Sequence, residues 1–371
     1  MTHHPSSSSR RVFVKSLSAG LAAGAAVGGF HSSTAAFGTE KKSLGFALVG
    51  LGNLSTHQIA PGLQKTKHCH LAGIVTGTPE KESLWAQKYQ LGSQHIYNYD
   101  NFDKIVGDDA IDVVYVVLPN SMHEEFTVRA AKAGKHVLCE KPMASSAAEC
   151  QRMIAACESA SRQLAIGYRC QFEPHHLACI DALRQTELGS IKAIQAGFGF
   201  SIGDPKQWRL RSAMAGGGAL MDVGIYALQA CRYLSNEEPI SVTAQETRTD
   251  AVKFAEVDES ITWAMNFPSG LVAHCSTTYS QNGMNQVHVE TEHGFVKLGP
   301  AFSYTGIQAD SSKGPIRFQP VDQFATEMDA FAVSIVENRR SNVSGEEGLR
   351  DLRIIEAIYR SAREGKTISL A

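Results

Sequence analysis

The chain has 371 residues, with 35 Lys+Arg against 37 Asp+Glu and a formal net charge of −2. A nucleic-acid binder needs a basic excess to displace counterions from phosphates, and none exists here; 43% apolar content is ample for a core and excludes disorder. The length exceeds what one core sustains, so two domains are expected, and the 8 Cys, scattered without a CxxC pair, are no disulfide scaffold.

The averages hide an asymmetry at the N-terminus. Residues 1–36 carry Arg10, Arg11 and Lys15 and no acidic residue. Ser9-Arg10-Arg11-Val12-Phe13-Val14-Lys15 leads into an Ala/Gly-rich run over 16–30 and the small residues Thr34-Ala35-Ala36. This resembles a twin-arginine export signal, with cleavage expected after Ala36 and a periplasmic destination. The apolar run is too short and too weakly hydrophobic to span a bilayer, and no other segment is apolar enough, so no membrane partner is expected. Removing the leader leaves 32 basic residues against 37 acidic, a balance of −5.

The first strand of the mature chain follows at once. Residues 44–49 are a short apolar run ending in Gly50-Leu51-Gly52-Asn53-Leu54-Ser55, then a helix-compatible stretch. In this strand–turn–helix setting G-x-G-x-x-S reads as a dinucleotide turn. Gly50 allows the sharp bend, Gly52 lets the backbone approach a pyrophosphate at the helix N-terminus, and Asn53 and Leu54 supply the first helical amides. Further buried strands are predicted at 70–75, 112–118, 136–139 and 163–168, separated by helices near 79–91, 121–133 and 146–160. That alternation predicts a doubly wound parallel sheet, a Rossmann domain over 43–168. An NAD enzyme usually carries an acidic residue at the end of the second strand. Here Thr76-Gly77-Thr78-Pro79 has none before Glu80, and Thr76 and Lys81 suit a 2′-phosphate, so NADP is the expected cofactor.

Three segments carry the chemistry: Pro119-Asn120-Ser121-Met122-His123 after the fourth strand, Glu140-Lys141-Pro142 after the fifth, and Gly216-Gly217-Gly218 running into a helix with Asp222 and Tyr226. Asp222 and Tyr226 are four apart and share a helix face. With the G-x-G-x-x-small turn, these motifs resemble the family of glucose–fructose oxidoreductase, inositol dehydrogenase and the rhizopine-catabolism proteins (Gfo/Idh/MocA). The resemblance covers 44–371 and is strongest to the glucose–fructose oxidoreductases, through 134–144, 150–170 and Gln207-Trp208-Arg209-Leu210. It implies proton transfer by Lys141 and Tyr226, substrate orientation by Asp222, and cofactor contacts from Pro119, Asn120, His123, Glu140, Lys141, Arg169, Trp208 and Arg209. A base must take the O–H proton while hydride leaves carbon, and Lys141 is expected to lower the phenol pKa of Tyr226. His175-His176-x-x-Cys179 has no further spaced ligands, and no metal is expected.

The second half, 169–371, lacks the βαβ rhythm. Alternating runs at 191–200, 240–249, 260–267, 271–278 and 287–292 predict a largely antiparallel open sheet, with a hairpin at Pro268-Ser269-Gly270 and helices over 322–337 and 346–363. Such a sheet face must be covered, and the resemblance implies a homo-oligomer built through it. Because a dissociable cofactor would be lost after export, the expectation is a tightly bound NADP that an aldose reduces and a second sugar reoxidises. Glucose–fructose oxidoreductases carry a long proline-rich arm between leader and first strand, where this chain has only residues 37–43. Open alternatives are a sugar or polyol dehydrogenase with exchangeable cofactor, a non-catalytic sugar or dinucleotide sensor, and a redox-assisted glycosidase.

Overall fold

The computed structural model describes residues 43–370; the leader and its cleavage site lie outside them. Six parallel strands come first: β1 (Leu44–Val49), β2 (Cys69–Val75), β3 (Ile96–Tyr97), β4 (Val113–Val116), β5 (His136–Cys139) and β6 (Leu164–Ile166). Their order is β3-β2-β1-β4-β5-β6. β1 and β4 are buried at every position, as central strands of a parallel sheet with both faces covered must be. Register fixes where the chemistry falls. Val49 lies beside Val75 and Val116, and Val116 beside Cys139, so the carboxyl ends of β2, β1, β4 and β5 finish level. Thr76, Gly50 and Glu140 therefore emerge at one edge, around the reversal of strand order between β1 and β4 where ligands of such sheets bind.

Local sequence explains the helices. The helix after β1 opens as a wide π turn (Ser55–Ile59) before its α portion (Ala60–Leu63), which accommodates Pro61, a residue without the N–H an α turn requires. Helix Ala147–Ser159 starts in a capping box: the Ser146 side chain accepts from the Glu149 amide, and the Glu149 carboxylate accepts from the Ser146 amide.

The second sheet has nine strands: β7 (Ile191–Gly199), β8 (Ser241–Thr247), β9 (Ser260–Asn266), β10 (Val272–Thr278), β11 (Asn285–Thr291), β12 (Gly294–Leu298), β13 (Ala309–Ser311), β14 (Gly314–Ile316) and β15 (Ile368–Ser369). The order is β14-β13-β12-β11-β7-β10-β9-β8-β15, and only the β7–β10 pair is parallel. The fold class is thus as the pattern predicts, including the β9–β10 hairpin with Gly270 at φ +87°. Helices Ile225–Ser235 and Gly345–Glu364 pack on one face, over Val242, Ile261, Met265 and Ala273. The opposite face presents Gln195, Thr243, Thr262 and His274, which are exposed. Arg232 joins the two helices: its guanidinium donates to Asp351 Oδ1 (2.5 Å) and Glu347 Oε2 (3.0 Å).

Among the strands, β3, β12, β13, β14 and β15 have no counterpart in the predicted pattern. β3 and β15 are two residues long and β13 and β14 three, too short for any periodicity to register. Helix Pro174–Arg184 also escapes it, although Pro174 at its first turn and Glu173, whose carboxylate accepts from the His176 amide, are ordinary start signals.

Candidate active site

The dinucleotide half of the cleft is built mainly of backbone. Gly50 sits at φ +91°, and a Cβ there would lie 2.3 Å from the Val117 carbonyl oxygen. A Cβ on Gly52, by contrast, would meet nothing within 4 Å. That is the cradle a pyrophosphate requires: a bend only glycine allows, then an open approach to the amides of Asn53 and Leu54. Lys81 donates its Nζ to the Leu51 carbonyl (2.8 Å), so its charge lies against this turn. Thr76 takes a different part from the one expected. It is buried, and its hydroxyl accepts from the Thr78 amide (3.2 Å), shaping the turn after β2. Ser55 likewise bonds backward, its hydroxyl donating to the Gly50 carbonyl (2.5 Å).

The Pro119–His123 segment braces the loops. Asn120 Nδ2 donates to the Ala215 carbonyl (2.7 Å), fastening the loop before Gly216. His123 is fully buried, with Nδ1 3.0 Å from the Pro142 carbonyl oxygen and Nε2 2.8 Å from that of Leu118. The ring sits between these two carbonyls and, with one N–H, donates to one of them, which makes it a staple between the Pro119 and Lys141 loops. Burial, opposed by those carbonyls, holds its pKa below the ordinary imidazole value.

The chemical half is made of side chains. Asp222 lies in a second π turn (Leu220–Gly224), and Tyr226 follows in the α portion of the same helix. Gly218 and Leu220 donate their amides to the Asp258 carboxylate (2.6 and 2.8 Å), which also accepts from Tyr359 (2.6 Å), so the helix start is anchored. Lys141 Nζ reaches across from the β5 loop to the Asp222 carbonyl (2.5 Å) and carboxylate (3.3 Å), and lies 4.7 Å from the Tyr226 ring centre. Asp222 Oδ2 accepts from Arg209 Nε (3.0 Å) and the Tyr279 hydroxyl (2.9 Å). Arg209 in turn stacks on Trp208, 4.5 Å from its ring centre. Burial pushes the Asp222 pKa up, but Arg209 and Lys141 outweigh it and bring the carboxyl down to about 2. A fully ionised carboxylate therefore holds the amine in place.

Tyr226 corrects one expectation. Burial raises its phenol above the ordinary value, and the cation that opposes this most is Arg169, not Lys141. The Arg169 guanidinium lies between the rings of Tyr226 (4.9 Å) and Tyr304 (4.7 Å) and donates to the Gln323 side chain (2.5 Å) and the Phe302 carbonyl (2.6 Å). It belongs to this aromatic stack. Tyr168 beside it packs into the core. Glu140 is buried, accepts from the Tyr115 hydroxyl (2.8 Å), and its pKa is raised by burial against the pull of Lys141. His175 and His176 are bound to Glu173 Oε1 (2.7 Å) and the Ala301 carbonyl (2.7 Å); among the described residues no group of three or more His, Cys, Asp or Glu could hold a metal ion.

Tyr279, Tyr304, Gln323 and Asp258 complete the cluster and were not foreseen. Tyr279 follows directly on the predicted 271–278 run, a strand end, which is the one signal that pointed to it. Tyr304 comes from a loop with no pattern, and Gln323 is the first residue of the helix predicted over 322–337, where nothing but that helix start pointed to it.

A nicotinamide-type cradle facing a Lys–Asp–Tyr cluster defines an oxidoreductase, and the comparisons place it. Residues 44–168 match the oxidoreductase family with NAD-binding Rossmann fold, 176–297 the GFO/IDH/MocA C-terminal domain, and 316–370 the oxidoreductase family C-terminal alpha/beta domain. The chain belongs to the GFO/IDH/MocA family and is an oxidoreductase acting on sugars with a nicotinamide dinucleotide. Among solved structures it resembles aldose-aldose oxidoreductase from Caulobacter crescentus, complexed with glycerol: 45% identity over 88% of this chain and 100% of that one, TM-score 0.86. A D-xylose 1-dehydrogenase [NADP(+)] from Haloarcula marismortui is 29% identical over 335 residues, 88% of this chain and 92% of the relative. A levoglucosan dehydrogenase in complex with NADH and L-sorbose shares the fold, with a TM-score of 0.75 at 20% identity over 89% of this chain and 100% of that one.

Proposed function

We propose that the chain oxidises an aldose at C1 to the lactone and passes the hydride to a second sugar, fructose or another aldose, on an NADP that stays bound between the two half-reactions. The observation that carries this reading is the Lys141–Asp222–Tyr226 cluster, held by an ionised Asp222 beside the carboxyl ends of β1, β4 and β5. The dinucleotide supplies the hydride acceptor and donor; the protein handles everything else. Asp222 fixes Lys141 against the Tyr226 ring. Tyr226 Oη takes the substrate hydroxyl proton in the oxidising half-reaction and returns it in the reducing one. Because burial raises its pKa, the neutral phenol suits the proton-donating, reducing half-reaction; in the oxidising one it first releases its own proton to solvent, and Arg169, with Lys141 on the ring face, stabilises the phenolate that then takes the substrate proton.

Lys81 against the Gly50–Gly52 turn, with no acidic residue at the end of β2, supports NADP over NAD. The twin-arginine pattern in residues 1–36 supports export as a folded holoprotein to the periplasm. The exposed polar outer face of the nine-stranded sheet supports a homo-oligomer closed over it. The second reading is a sugar dehydrogenase with exchangeable NADP, favoured by the short 37–43 segment, where the arm of glucose–fructose oxidoreductases would lie.

One experiment separates them. The protein is purified without added nucleotide and its reduced-nicotinamide absorbance is followed. A band that appears with glucose or xylose and disappears with a second sugar is the expected result. Protein that arrives empty and turns over only with supplied NADP overturns internal recycling.

A further inference from the structure

Tyr115, Glu140 and Glu327 form a buried group beside the catalytic cluster that the proton transfer described above does not use. Tyr115 lies on β4, and its hydroxyl is 2.8 Å from Glu140 Oε1 and 3.5 Å from Glu327 Oε2. Glu140 follows β5, and its Oε2 accepts from the Lys141 amide (3.3 Å). Glu327 comes from helix Gln323–Val336, one turn after the Gln323 that accepts from Arg169. It is 1% exposed, and its Oε1 has no hydrogen-bond partner among the described residues.

The donors do not suffice for two anions. The Tyr115 hydroxyl has one proton, and the 2.8 Å contact gives it to Glu140. An ionised Glu327 would then be a buried carboxylate with no donor at bonding distance and a second carboxylate beside it, a costly arrangement. A protonated Glu327 removes that cost and donates to the Tyr115 oxygen. Burial, with Glu140 adding to it, accordingly pushes the Glu327 pKa well above the ordinary carboxyl value. The result is a directed chain, from the Glu327 O–H to Tyr115 Oη and from the Tyr115 O–H to Glu140 Oε1. Lys141 and Arg169 are the cations facing it, and Tyr226, Tyr304, Cys139 and Cys170 the other titratable groups. Burial, Cys170 and Glu140 all oppose ionisation of Tyr226. Glu140 adjoins Lys141 in that cluster, whereas Glu327 is at the other end of the chain.

We propose that Glu327 and Tyr115 are positioning residues that share one proton with Glu140 and pass it to Glu140 when Tyr226 ionises, so that the phenolate forms beside a neutral acid. The inference rests on the sugar-oxidation reading and deepens it. The Glu327 O–H bond breaks as one forms on Tyr115 Oη; the original Tyr115 O–H bond breaks as one forms on Glu140 Oε1. No proton leaves the three groups. Tyr226 gives its own proton to solvent, hydride leaves the sugar C1 for the oxidised dinucleotide, and the phenolate takes the sugar hydroxyl proton. The reverse shift along the chain then restores the starting state.

Two variants of the purified holoenzyme test it. Glu327→Gln keeps the shape of a neutral acid but cannot take up the charge, and Tyr115→Phe keeps the ring but breaks the chain. In infrared difference spectra, Glu327→Gln is expected to lose the carbonyl stretch of one protonated carboxylic acid. The two half-reactions are then followed separately across pH by dinucleotide absorbance. Aldose oxidation speeds up as Tyr226 ionises, and this rise is expected to move upward by about one pH unit in both variants. That is about a tenfold loss at fixed pH, the scale of one charge displaced within a protein. Reduction of the second sugar should change less than about twofold. If Glu327 were ionised, Gln would remove a repelling charge and the shift would have the opposite sign. An unchanged carboxylic band, a shift to lower pH or equal slowing of both half-reactions therefore overturns the relay. Failure of the wild type to oxidise any aldose overturns the functional reading instead, and the infrared comparison still decides where the proton rests.

Discussion

The two halves of the cleft are built from different material. On the dinucleotide side the working groups are backbone amides presented by Gly50 and Gly52, and the neighbouring side chains of Thr76, Asn120 and His123 turn inward to brace loops. Across the cleft the working groups are charged and phenolic side chains, each held by another: Arg209 and Tyr279 on Asp222, Asp222 on Lys141, Arg169 on Tyr226. The difference follows from the ligands. A pyrophosphate is the same in every turnover and suits fixed amides and a helix terminus. A proton that must move each way needs titratable groups whose neighbours set their charge.

If the halves are separable, Lys141→Met should lower turnover by roughly 10²–10⁴-fold, the range for a lost acid–base group, while dinucleotide binding, read by nucleotide fluorescence, is kept. Loss of binding together with turnover would break the division. The frame of the chemical half should be nearly as sensitive. Arg232→Met leaves the fully buried Asp351 without its Arg232 counter-charge, with the Gln229 amide still donating to it, an expected cost of about 3–5 kcal/mol read from the denaturant midpoint. Conversely, Gly50→Ala should cost about 1–3 kcal/mol in backbone strain alone, beyond its clash with Val117, and should empty the dinucleotide site. An Ala variant that still binds would show that the turn is not what holds the cofactor. Lys81→Ala should reduce discrimination between NADP and NAD by about tenfold, the scale of one charged hydrogen bond, with little change in kcat. The smallest effect concerns pH. The Asp222 pKa is about 2 in the folded chain against an ordinary 3.8, so its ionised form stabilises above the unfolded value. That contribution is lost as pH falls from about 4 to about 2. Asp222→Asn should flatten this part of the acid-unfolding curve, and an unaltered acid limb would mean the carboxylate carries no net stabilisation.

Much of this was legible beforehand because it depends on short stretches of chain. The Gly50–Ser55 turn, the β1, β2, β4 and β5 runs and the Asp222–Tyr226 spacing are local patterns, and each lies where its pattern implies. Lys141 could be singled out because it follows a strand end. What stayed illegible depends on partners far along the chain. Tyr304 and Gln323 reach Arg169 across more than a hundred residues, and nothing near either of them in sequence announces it.

The residues by themselves therefore determined the fold class and the dinucleotide-type turn, because strand periodicity and glycine backbone freedom are properties of neighbours in sequence, while the Lys–Asp–Tyr set was implied by the family resemblance of its motifs. Only the tertiary structure decided which groups face the ligand and which charge they carry. Thr76 and His123 looked equally available in the sequence, yet packing turned both to the backbone, since a buried polar group must find its hydrogen bond close at hand. Tyr226 looked like a phenol lowered by Lys141, yet burial raised it and placed Arg169 against its ring, because desolvation and charge act through space rather than along the chain.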